Sequence, residues 1–441
     1  MLLVGNGTLI TRDEANPYVK DGCVAIDGAV VAETGGTDAI RAKFPGARFI
    51  DARGGLIMPG FINAHMHYYS AFSRGFAGKG PAGTNFKEVL ERLWWRLDKA
   101  LTLDDVYLSA MVCMIDCIKN GTTTVLDHHA SPNAVRGSLF EIARAARETG
   151  VRSCLCYEVS DRDGEAVMMD GIAENAEFIR HASGDESDLL AGTFGLHASM
   201  TLSDATLEAC GEAAPVQCGY HVHVAEGTGD EDDSLKKHGK RVVERFRDFG
   251  MLGRRSIAVH CVHIDESERE TLKETGTAVV FNPESNMGNA VGCAPALEMY
   301  RTGILTGLGT DGFVSDMPQS LKMANALLKH NASRPDAAFA EVTGMLFRNN
   351  ALIAERYFRL PVGRIAPGYS ADVIVCDYLP PTDLTDANVD GHILYGASGR
   401  CVASTVARGR VLMENRQLAD IDEAEVFAKA ARASKKVWER F

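Results

Sequence analysis

Two short segments carry histidines spaced by one residue, and each segment ends an apolar run. His65 and His67 end one run, while His221 and His223 end another that continues into Glu226. Side chains two positions apart on a strand point to the same side, so two such imidazoles reach one cation. Neutral imidazole is a good ligand for zinc and iron. The spacing therefore indicates metal chemistry, although one pair alone would also suit two packing histidines.

Three more polar residues follow apolar runs in the same way. They are His197, His260 and Asp311, the last of which stands between Gly309 and Gly312. Taken singly, each of these residues has an ordinary structural explanation. An aspartate in this setting, for example, commonly caps a helix or forms a turn. Chance does not readily place so many metal-competent side chains at the ends of apolar runs. We therefore predict that these residues and the first histidines converge on one catalytic centre.

The elements that must position these residues are short apolar runs that alternate with amphipathic helices. The runs are Leu56–Ala64, Thr123–Asp127, Val151–Glu158, Leu189–His197, Gln217–Val224, Ser256–Cys261, Gly276–Asn282 and Ile304–Thr310. Alternating strands and helices predict a parallel sheet. Eight such units between residues 56 and 360 predict a (β/α)8 barrel, whose strands carry catalytic residues at their carboxyl ends.

Helical periodicity occupies most of the stretches between these runs. The predicted helices are Phe86–Leu101, Leu103–Lys119, Leu139–Thr149, Ala166–His181, Asp204–Ala213, Ser234–Phe249, Glu266–Glu274, Ala294–Thr302 and, at the carboxyl end, Asp422–Arg440. Both chain ends instead show short β-branched runs and turns, including Asp27-Gly28, a strong hairpin signal. The predicted fold class is therefore α/β. Its barrel spans residues 56–360, and residues 1–55 and 361–441 form one small composite β-sandwich.

Composition excludes several function classes. The 441 residues include 46 Lys and Arg against 59 Asp and Glu, a formal net charge of −13. A surface for nucleic acid or for an anionic membrane needs a basic face, so neither partner is expected. The sequence contains no transmembrane-length apolar run and no signal-peptide pattern. Its 11 cysteines form no CxxC pair, which indicates reduced thiols and a cytoplasmic protein.

Several motifs in order resemble the amidohydrolase superfamily. They are PGFINAHMH (59–67), GTTTV (121–125), HVHVAE (221–226), AVHCVH (258–263), FNPESNM (281–287), GTDG (309–312) and VGRIAPGYSADVIV (362–375). The likeness is to the branch of guanine deaminases, triazine hydrolases and methylthioadenosine/S-adenosylhomocysteine deaminases, and within it to the aminohydrolases called SsnA. It covers nearly the whole chain and implies the same barrel with a small β domain.

The resemblance implies a role for each matching residue. The family's metal ligands match four residues, namely His65, His67, His223 and Asp311. Its proton-shuttling glutamate matches Glu226, and its histidine after the sixth strand matches His260, so that the catalytic set is Glu226, His260 and Asp311. Relatives that hold two metals bridge them with a Lys or Glu after strand four, and residues 189–203 contain neither. One divalent ion is therefore expected, with Zn²⁺ as the first choice and Fe²⁺ as the alternative.

The predicted substrate contacts lie at the same rim of the barrel. His197 occupies the position of a family substrate contact, although the family's HAPYT reads HASMT here. The other candidates are Tyr68, Arg74, Trp95 and His129, since aromatic rings stack on planar heterocycles and an arginine holds a carbonyl or carboxylate. Guanine deaminases carry a Gln soon after the first histidine pair. Its absence here argues against guanine.

The predicted activity is metal-dependent hydrolysis of a non-peptide carbon–nitrogen bond in a small purine-like N-heterocycle. The resemblance implies a hydroxide bound to the metal as the nucleophile. Deamination is the first prediction for the reaction. The alternative is hydrolytic ring opening of a cyclic amidine or amide in an oxidised purine. A catalytically inactive scaffold is a third possibility that the complete ligand set disfavours. The family resemblance also implies a homodimer.

Overall fold

The computed structural model describes residues 1–76 and 80–441. Its strands are β1 (Leu2–Ile10), β2 (Tyr18–Asp27), β3 (Val30–Gly36), β4 (Arg48–Asp51), β5 (Leu56–Pro59), β6 (Phe61–Met66), β7 (Thr122–Asp127), β8 (Arg152–Leu155), β9 (Leu190–Gly192), β10 (Phe194–Ala198), β11 (Tyr220–Val224), β12 (Ile257–His260), β13 (Ala278–Phe281), β14 (Thr306–Leu308), β15 (Val373–Cys376), β16 (Val402–Ala407), β17 (Arg410–Glu414) and β18 (Gln417–Leu418).

The α-helices complete the element order. They are α1 (Thr37–Lys43), α2 (Phe86–Val89), α3 (Trp95–Ala100), α4 (Leu103–Lys119), α5 (Ser138–Thr149), α6 (Glu165–Ser183), α7 (Asp204–Ala213), α8 (Thr228–His238), α9 (Val242–Asp248), α10 (Glu266–Thr275), α11 (Pro283–Gly288), α12 (Ala296–Arg301), α13 (Met317–Ala332), α14 (Phe339–Thr343), α15 (Asn350–Ala354), α16 (Val389–Tyr395) and α17 (Glu423–Arg440). Among the residues that the structure describes, no helix has the length and apolarity needed to cross a membrane.

The middle of the chain forms the predicted barrel. Strands β6 to β9 form one parallel sheet and β10 to β14 another. Only Thr193 separates β9 from β10, so together they act as one barrel strand. Backbone hydrogen bonds also join the two sheets at both places where they meet. The N–H of Val159 donates to the carbonyl oxygen of Gly195 at 3.1 Å, and the N–H of Thr310 donates to the carbonyl oxygen of His65 at 2.9 Å. All eight predicted runs contain a strand, and the fold class is confirmed.

The first predicted run is divided between two sheets at Gly60. The N–H of Gly60 donates to the carbonyl oxygen of Asp372, whereas that of Phe61 donates to Gly121 in the barrel. Strand β5 therefore pairs with β15 and β1, outside the barrel, and β6 is the first barrel strand. A Cβ at Gly60 would lie 2.3 Å from Oγ1 of Thr123. Glycine is thus the residue that lets the chain pass so closely between the two sheets.

Strands from both chain ends form one nine-stranded sheet. Its order is β18-β17-β16-β15-β5-β1-β2-β3, with β4 beside β1. Alternating residues of β1 face opposite sides, so Val4 packs in one apolar cluster with Val24 and Ile57, while Leu3 packs with Ile40 of α1. The sheet is therefore buried on both faces, which requires the two ends of the chain to fold together.

One helix prediction is wrong. The stretch Ser234–Phe249 forms two helices, α8 and α9, rather than one. Gly239 adopts a left-handed conformation with φ of 66°, and its N–H donates to the carbonyl oxygen of Leu235. A glycine in this conformation is a common helix terminator. The other predicted helices agree with the structure within two residues, except that Phe86–Leu101 is α2 and α3 joined by a π-helical turn over Leu90–Trp94.

A buried ion pair connects the barrel to the end sheet. Arg152 of β8 has no exposed side-chain surface, and its Nη1 donates to Oδ2 of Asp372 at 2.5 Å. Its Nη2 donates to Oγ of Ser370 at 2.6 Å. The other carboxylate oxygen of Asp372 accepts from the backbone N–H of Arg408 at 2.8 Å. The two charges are therefore well paired where they are shielded from water.

We expect Asp372→Ala to lower the free energy of unfolding by about 3–5 kcal/mol, because it leaves the Arg152 charge buried and unpaired. Urea denaturation followed by circular dichroism measures the change. The control is Asp336→Ala, which removes an exposed partner of Arg334 and should leave the unfolding midpoint where it is. Equal midpoints for the two variants would contradict the role assigned to the buried pair.

Candidate active site

The predicted metal ligands converge at the carboxyl ends of the barrel strands. His65 lies at the end of β6 and His67 directly follows that strand, His223 lies near the end of β11, and Asp311 follows β14. The ligand atoms of His65, His67 and His223 lie within 4.8 Å of one another, and so do those of His65, His260 and Asp311. Oδ1 of Asp311 is 2.8 Å from Nε2 of His67. The two groups share His65 and therefore form one centre.

Hydrogen bonds to Nδ1 hold the three histidine rings in place. Nδ1 of His67 lies 2.5 Å from the carbonyl oxygen of His128, and Nδ1 of His223 lies 2.9 Å from that of His197. Both nitrogens therefore carry the proton and donate it, which leaves Nε2 as the free lone pair. Nδ1 of His65 is 2.9 Å from Nε2 of His221, so the first histidine of the HVH motif supports a ligand.

The donor set fits a divalent metal ion. Nε2 of His65 is buried and hydrogen-bonds to no described residue, which is costly for a polar atom unless something binds it. Three imidazole nitrogens and one carboxylate are ligands that Zn²⁺ accepts in tetrahedral or five-coordinate sites. Fe²⁺ accepts the same ligand types. His65, His67, His223 and Asp311 are thus the residues that would hold the ion.

Burial sets the protonation of most histidines at this centre. It lowers the pKa of His65 to about 3 and that of His260 to about 4. Burial acts on His67 in the same direction, but the hydrogen bond and charge of Asp311 outweigh it and raise the pKa of His67 to about 9. Two rings are therefore neutral at pH 7, and a metal ion displaces the proton that His67 otherwise holds.

Two carboxyl groups at the site have opposite protonation. Burial and the negative charge of Asp311 raise the pKa of Glu226 well above its usual range. Burial acts on Asp311 in the same direction, but its interactions with His65 and His67 outweigh burial and hold the pKa of Asp311 well below its usual range. Asp311 is therefore ionised while Glu226 keeps its proton, a division of roles typical of paired catalytic acids and bases.

The backbone is strained at three positions around this centre. Ala225, His260 and Asp311 adopt left-handed conformations with φ of 46°, 70° and 58°. Such conformations cost about 1–3 kcal/mol in non-glycine residues and cluster at functional sites. Each lies at or just beyond the end of a barrel strand. The turn of the chain there directs the side chains toward the common centre.

Residues of α11 and the turn after it hold the two carboxyl groups and His260. Oγ of Ser285 donates to Oδ2 of Asp311 at 2.5 Å, and Nδ2 of Asn289 donates to Oε1 of Glu226 at 3.1 Å. Nδ2 of Asn286 donates to Nδ1 of His260 at 2.9 Å. Nε2 of His260 then faces the carboxylates, 3.3 Å from Glu226 and 3.7 Å from Asp311. The FNPESNM motif contains Ser285 and Asn286, but its spacing alone did not reveal these contacts.

A cavity of about 950 Å³ opens above the centre. Its volume is at the upper end of the range for small-molecule sites. The π-helical turn places Trp94 beside Gly312, where a Cβ would lie 2.7 Å from the indole ring. Tyr69 and Trp95 line other parts of the wall. Flat aromatic walls over a metal centre suit a planar substrate.

The structure places two of the five predicted substrate contacts on this cavity. His197 and Trp95 both line it, with ring centroids 6.1 Å apart. Tyr68 does not, because it is fully buried and its hydroxyl lies 3.0 Å from Oγ of Ser153 behind the wall. Its neighbour Tyr69 lines the cavity instead. The 3-10 helix that follows His67 turns the two tyrosines in different directions.

Arg74 and His129 also lie away from the cavity lining. Arg74 forms an ion pair with Asp116 of α4 at 2.5 Å. His129 is fully buried, with Nε2 2.9 Å from Oγ of Ser131. Burial lowers the pKa of His129 to about 3, so the ring is a neutral packing residue. The structure therefore does not bring these two predicted contacts to the cavity, because the distance along the chain from the first histidine pair does not determine depth in the fold.

Sequence reasoning missed several lining residues, and two of them form a charged pair. Glu158 and Arg162 face the cavity from the loop after β8. Glu158 ends a predicted barrel run, so the rule that identified the histidines would have found it. Burial raises the pKa of this carboxyl, but the charges of His197, His128 and Arg162 outweigh burial and bring it to about 2. The cavity therefore has an ionised carboxylate on one wall.

Comparison with known families agrees with this geometry. Residues 56–412 match the model of the amidohydrolase family. The chain belongs to the amidohydrolase family. It is a hydrolase that acts on carbon–nitrogen bonds other than peptide bonds.

The chain is similar over nearly its full length to several named relatives. It is 32% identical to a 5-methylthioadenosine/S-adenosylhomocysteine deaminase from Syntrophomonas wolfei, over 99% of each chain. It is 29% identical to a 5'-deoxyadenosine deaminase from Methanosarcina mazei, over 99% of this chain and 98% of the relative. The match at both ends of the chain includes the composite sheet as well as the barrel.

Solved structures share the fold. An adenosine deaminase from Xanthomonas campestris with bound zinc superposes with a TM-score of 0.87 at 23% identity, over 99% of this chain and 98% of that one. Guanine deaminase from E. coli superposes with a TM-score of 0.80 at 22% identity, over 94% and 100% of the two chains. These neighbours confirm the barrel with its added domain.

We expect His65→Ala and Asp311→Ala each to weaken Zn²⁺ binding by at least about 100-fold, because each removes a proposed ligand of the centre. Competition with a chromophoric chelator measures the affinity. His330→Ala is the matched control, since this histidine is exposed on α13. Wild-type zinc affinity in either site variant would exclude that residue as a ligand.

Proposed function

We propose that the protein hydrolytically deaminates an amino-substituted purine-like ring and uses one Zn²⁺ ion for this reaction. The observation that carries the proposal is the arrangement of Glu226, Asp311 and His260 around the histidine ligands at the floor of an aromatic cavity. The deaminase names of the full-length relatives support the same reaction class. The reaction adds the oxygen of water to a ring carbon and releases the amino group as ammonia.

The protein groups divide the proton transfers between them. A divalent metal, when bound, lowers the pKa of water to near neutrality. Asp311 is ionised and accepts the proton of the attacking water, while His260 lies 3.7 Å away to orient that water. Glu226 is protonated and donates to the ring nitrogen next to the reacting carbon. Asp311 passes its proton to the leaving nitrogen, which departs as ammonia. The second proton of the attacking water goes to Glu226 as the carbonyl forms, so both groups regain their starting state.

The walls of the cavity position the ring. Tyr69 and Trp94 lie edge to face with centroids 6.2 Å apart, and Trp95 also lines the cavity. We propose that the heterocycle stacks on these rings and that His197 contacts it beside the metal. Such packing orients the reacting carbon and excludes bulk water, which strengthens the hydrogen bonds that move protons.

Ring opening of an oxidised purine would use the same groups. The two reactions differ in their products, because deamination releases ammonia and keeps the ring chromophore, whereas ring opening destroys that chromophore. We assign deamination because the full-length relatives are named as deaminases. Measuring ammonia and ring absorbance on the same sample distinguishes the two. An inactive scaffold would show neither change.

We also propose a cytoplasmic homodimer. All of the cysteines are free thiols, and most are buried, which suits a reducing compartment. Two exposed aromatic residues, Phe339 and Tyr395, stack with centroids 6.4 Å apart and offer apolar surface for a second copy. Analytical ultracentrifugation measures the oligomeric state.

We expect Glu226→Gln to lower kcat by about 10²–10⁴-fold, because the amide cannot donate the proton that the ring nitrogen needs. Zinc content should stay at the wild-type level, since Glu226 is not a proposed ligand. Ammonia release and metal analysis on one sample provide both readouts. The control is Glu270→Gln on exposed α10. A fully active Glu226→Gln enzyme would remove this residue from the proton transfers.

A further inference from the structure

Glu158 presents a carboxylate next to the metal centre without being one of the proposed ligands. One of its oxygens lies within 4.8 Å of ring nitrogens of both His128 and His223. Oε2 is 3.2 Å from Nδ1 of His128, and Oε1 is 3.3 Å from Nη2 of Arg162. A carboxylate has about four lone-pair positions, so two long contacts leave acceptor capacity. Because Glu158 lines the cavity, that capacity is available to a bound ring.

Arg162 supplies donors on the same wall. Its side chain is nine-tenths buried, and Nη2 is held by Asp98 at 2.5 Å. Nη1 is buried and hydrogen-bonds to none of the described residues. A buried guanidinium N–H without an acceptor costs free energy, and a ligand oxygen in the cavity would remove that cost. The ion pair with Asp98 fixes the plane of the guanidinium before the ligand arrives.

Trp95 adds a second donor of the same kind. Its Nε1 is buried and has no hydrogen-bond partner in the described part of the chain. The guanidinium carbon of Arg162 is 5.3 Å from the centre of the indole ring, so the two groups form one patch. This patch therefore offers one acceptor, Glu158, beside two unsatisfied donors.

We propose that Glu158 and Arg162 recognise a lactam edge, in which a ring N–H donates to Glu158 while the adjacent carbonyl oxygen accepts from Arg162 and Trp95. The inference rests on the proposed deamination and narrows its substrate to an amino-heterocycle that also carries an oxo group. An N9-substituted adenine ring has neither a ring N–H nor a carbonyl. Such a ring leaves all three groups of the patch unsatisfied.

Two pairs of compounds test whether the enzyme prefers a substrate with a lactam, because the two members of each pair carry the same amino group. Isoguanine and adenine share the 6-amino group, guanine and 2-aminopurine share the 2-amino group, and only the first of each pair has the lactam. For the zinc-loaded enzyme we expect kcat/KM to favour the lactam compound by at least about 100-fold in the pair that reacts. Equal kcat/KM values within the reacting pair would overturn the inference while leaving the deaminase proposal intact.

Substitutions at the patch test which residues produce the preference. We expect Glu158→Gln and Arg162→Lys each to reduce the ratio of kcat/KM values within the reacting pair about tenfold or more. The first replaces one carboxylate oxygen by an N–H donor and removes the charge, and the second loses Nη1 while keeping its charge near Asp98. Zinc content should be unchanged. Glu177→Gln, on the exposed surface of α6, is the control. An unchanged ratio in both patch variants would refute the assignment of these residues.

A binding measurement separates this inference from the proposed function. Xanthine has the lactam edge but no amino group, and unsubstituted purine has neither. We expect xanthine to quench tryptophan fluorescence with a Kd at least about tenfold lower than that of purine, and Glu158→Gln to remove the difference. If none of the amino compounds releases ammonia, deamination fails and this measurement still decides the lactam subsite. Equal affinities for xanthine and purine would reject it.

Discussion

The site depends on the hydrogen bonds that close the barrel between its last and first strands. The backbone N–H groups of Thr310 and Asp311 both donate to the carbonyl oxygen of His65, at 2.9 and 3.0 Å. These bonds join the two ends of the barrel and also bring the Asp311 carboxylate to the histidines of β6. A barrel left open at this seam would keep every ligand on its own strand but would separate the aspartate from the imidazoles. Closure of the fold and assembly of the centre are thus one event.

Once the ligands meet, electrostatics assigns their roles. Asp311 and Glu226 are both buried, but only Asp311 interacts with both His65 and His67, so the pKa values of the two carboxyl groups move in opposite directions. Neither group would behave this way alone in water. The same principle extends to the far wall, where Glu158 is ionised because His197, His128 and Arg162 surround it. The cavity therefore contains a proton donor on one side and a fixed negative charge on the other.

The sequence predicted the barrel accurately because strand and helix periodicity are local properties. All eight runs contain strands, and helix α4 has the predicted limits. The division at Gly60 was missed because both halves of the run Leu56–Ala64 are buried and apolar, and composition does not report which sheet a strand joins. The break at Gly239 was missed for the opposite reason. A local glycine signal was present there, but the amphipathic pattern continued across it. Substrate contacts were the least predictable, since Tyr68 and Tyr69 are adjacent and similar but only Tyr69 lines the cavity.

By itself, the sequence determined which residues reach the carboxyl ends of the strands. His65, His67, His223 and Asp311 follow apolar runs, and a parallel barrel brings such ends to one rim. Only the tertiary structure decided what those residues face and which states they adopt. The free Nε2 atoms, the protonated Glu226 and the patch of Glu158, Arg162 and Trp95 all arise from contacts between segments distant in the chain. The physical reason is that strand periodicity is set by residues that are neighbours in the sequence. Burial, hydrogen-bond partners and pKa values are set instead by distant residues that the folded chain brings into contact.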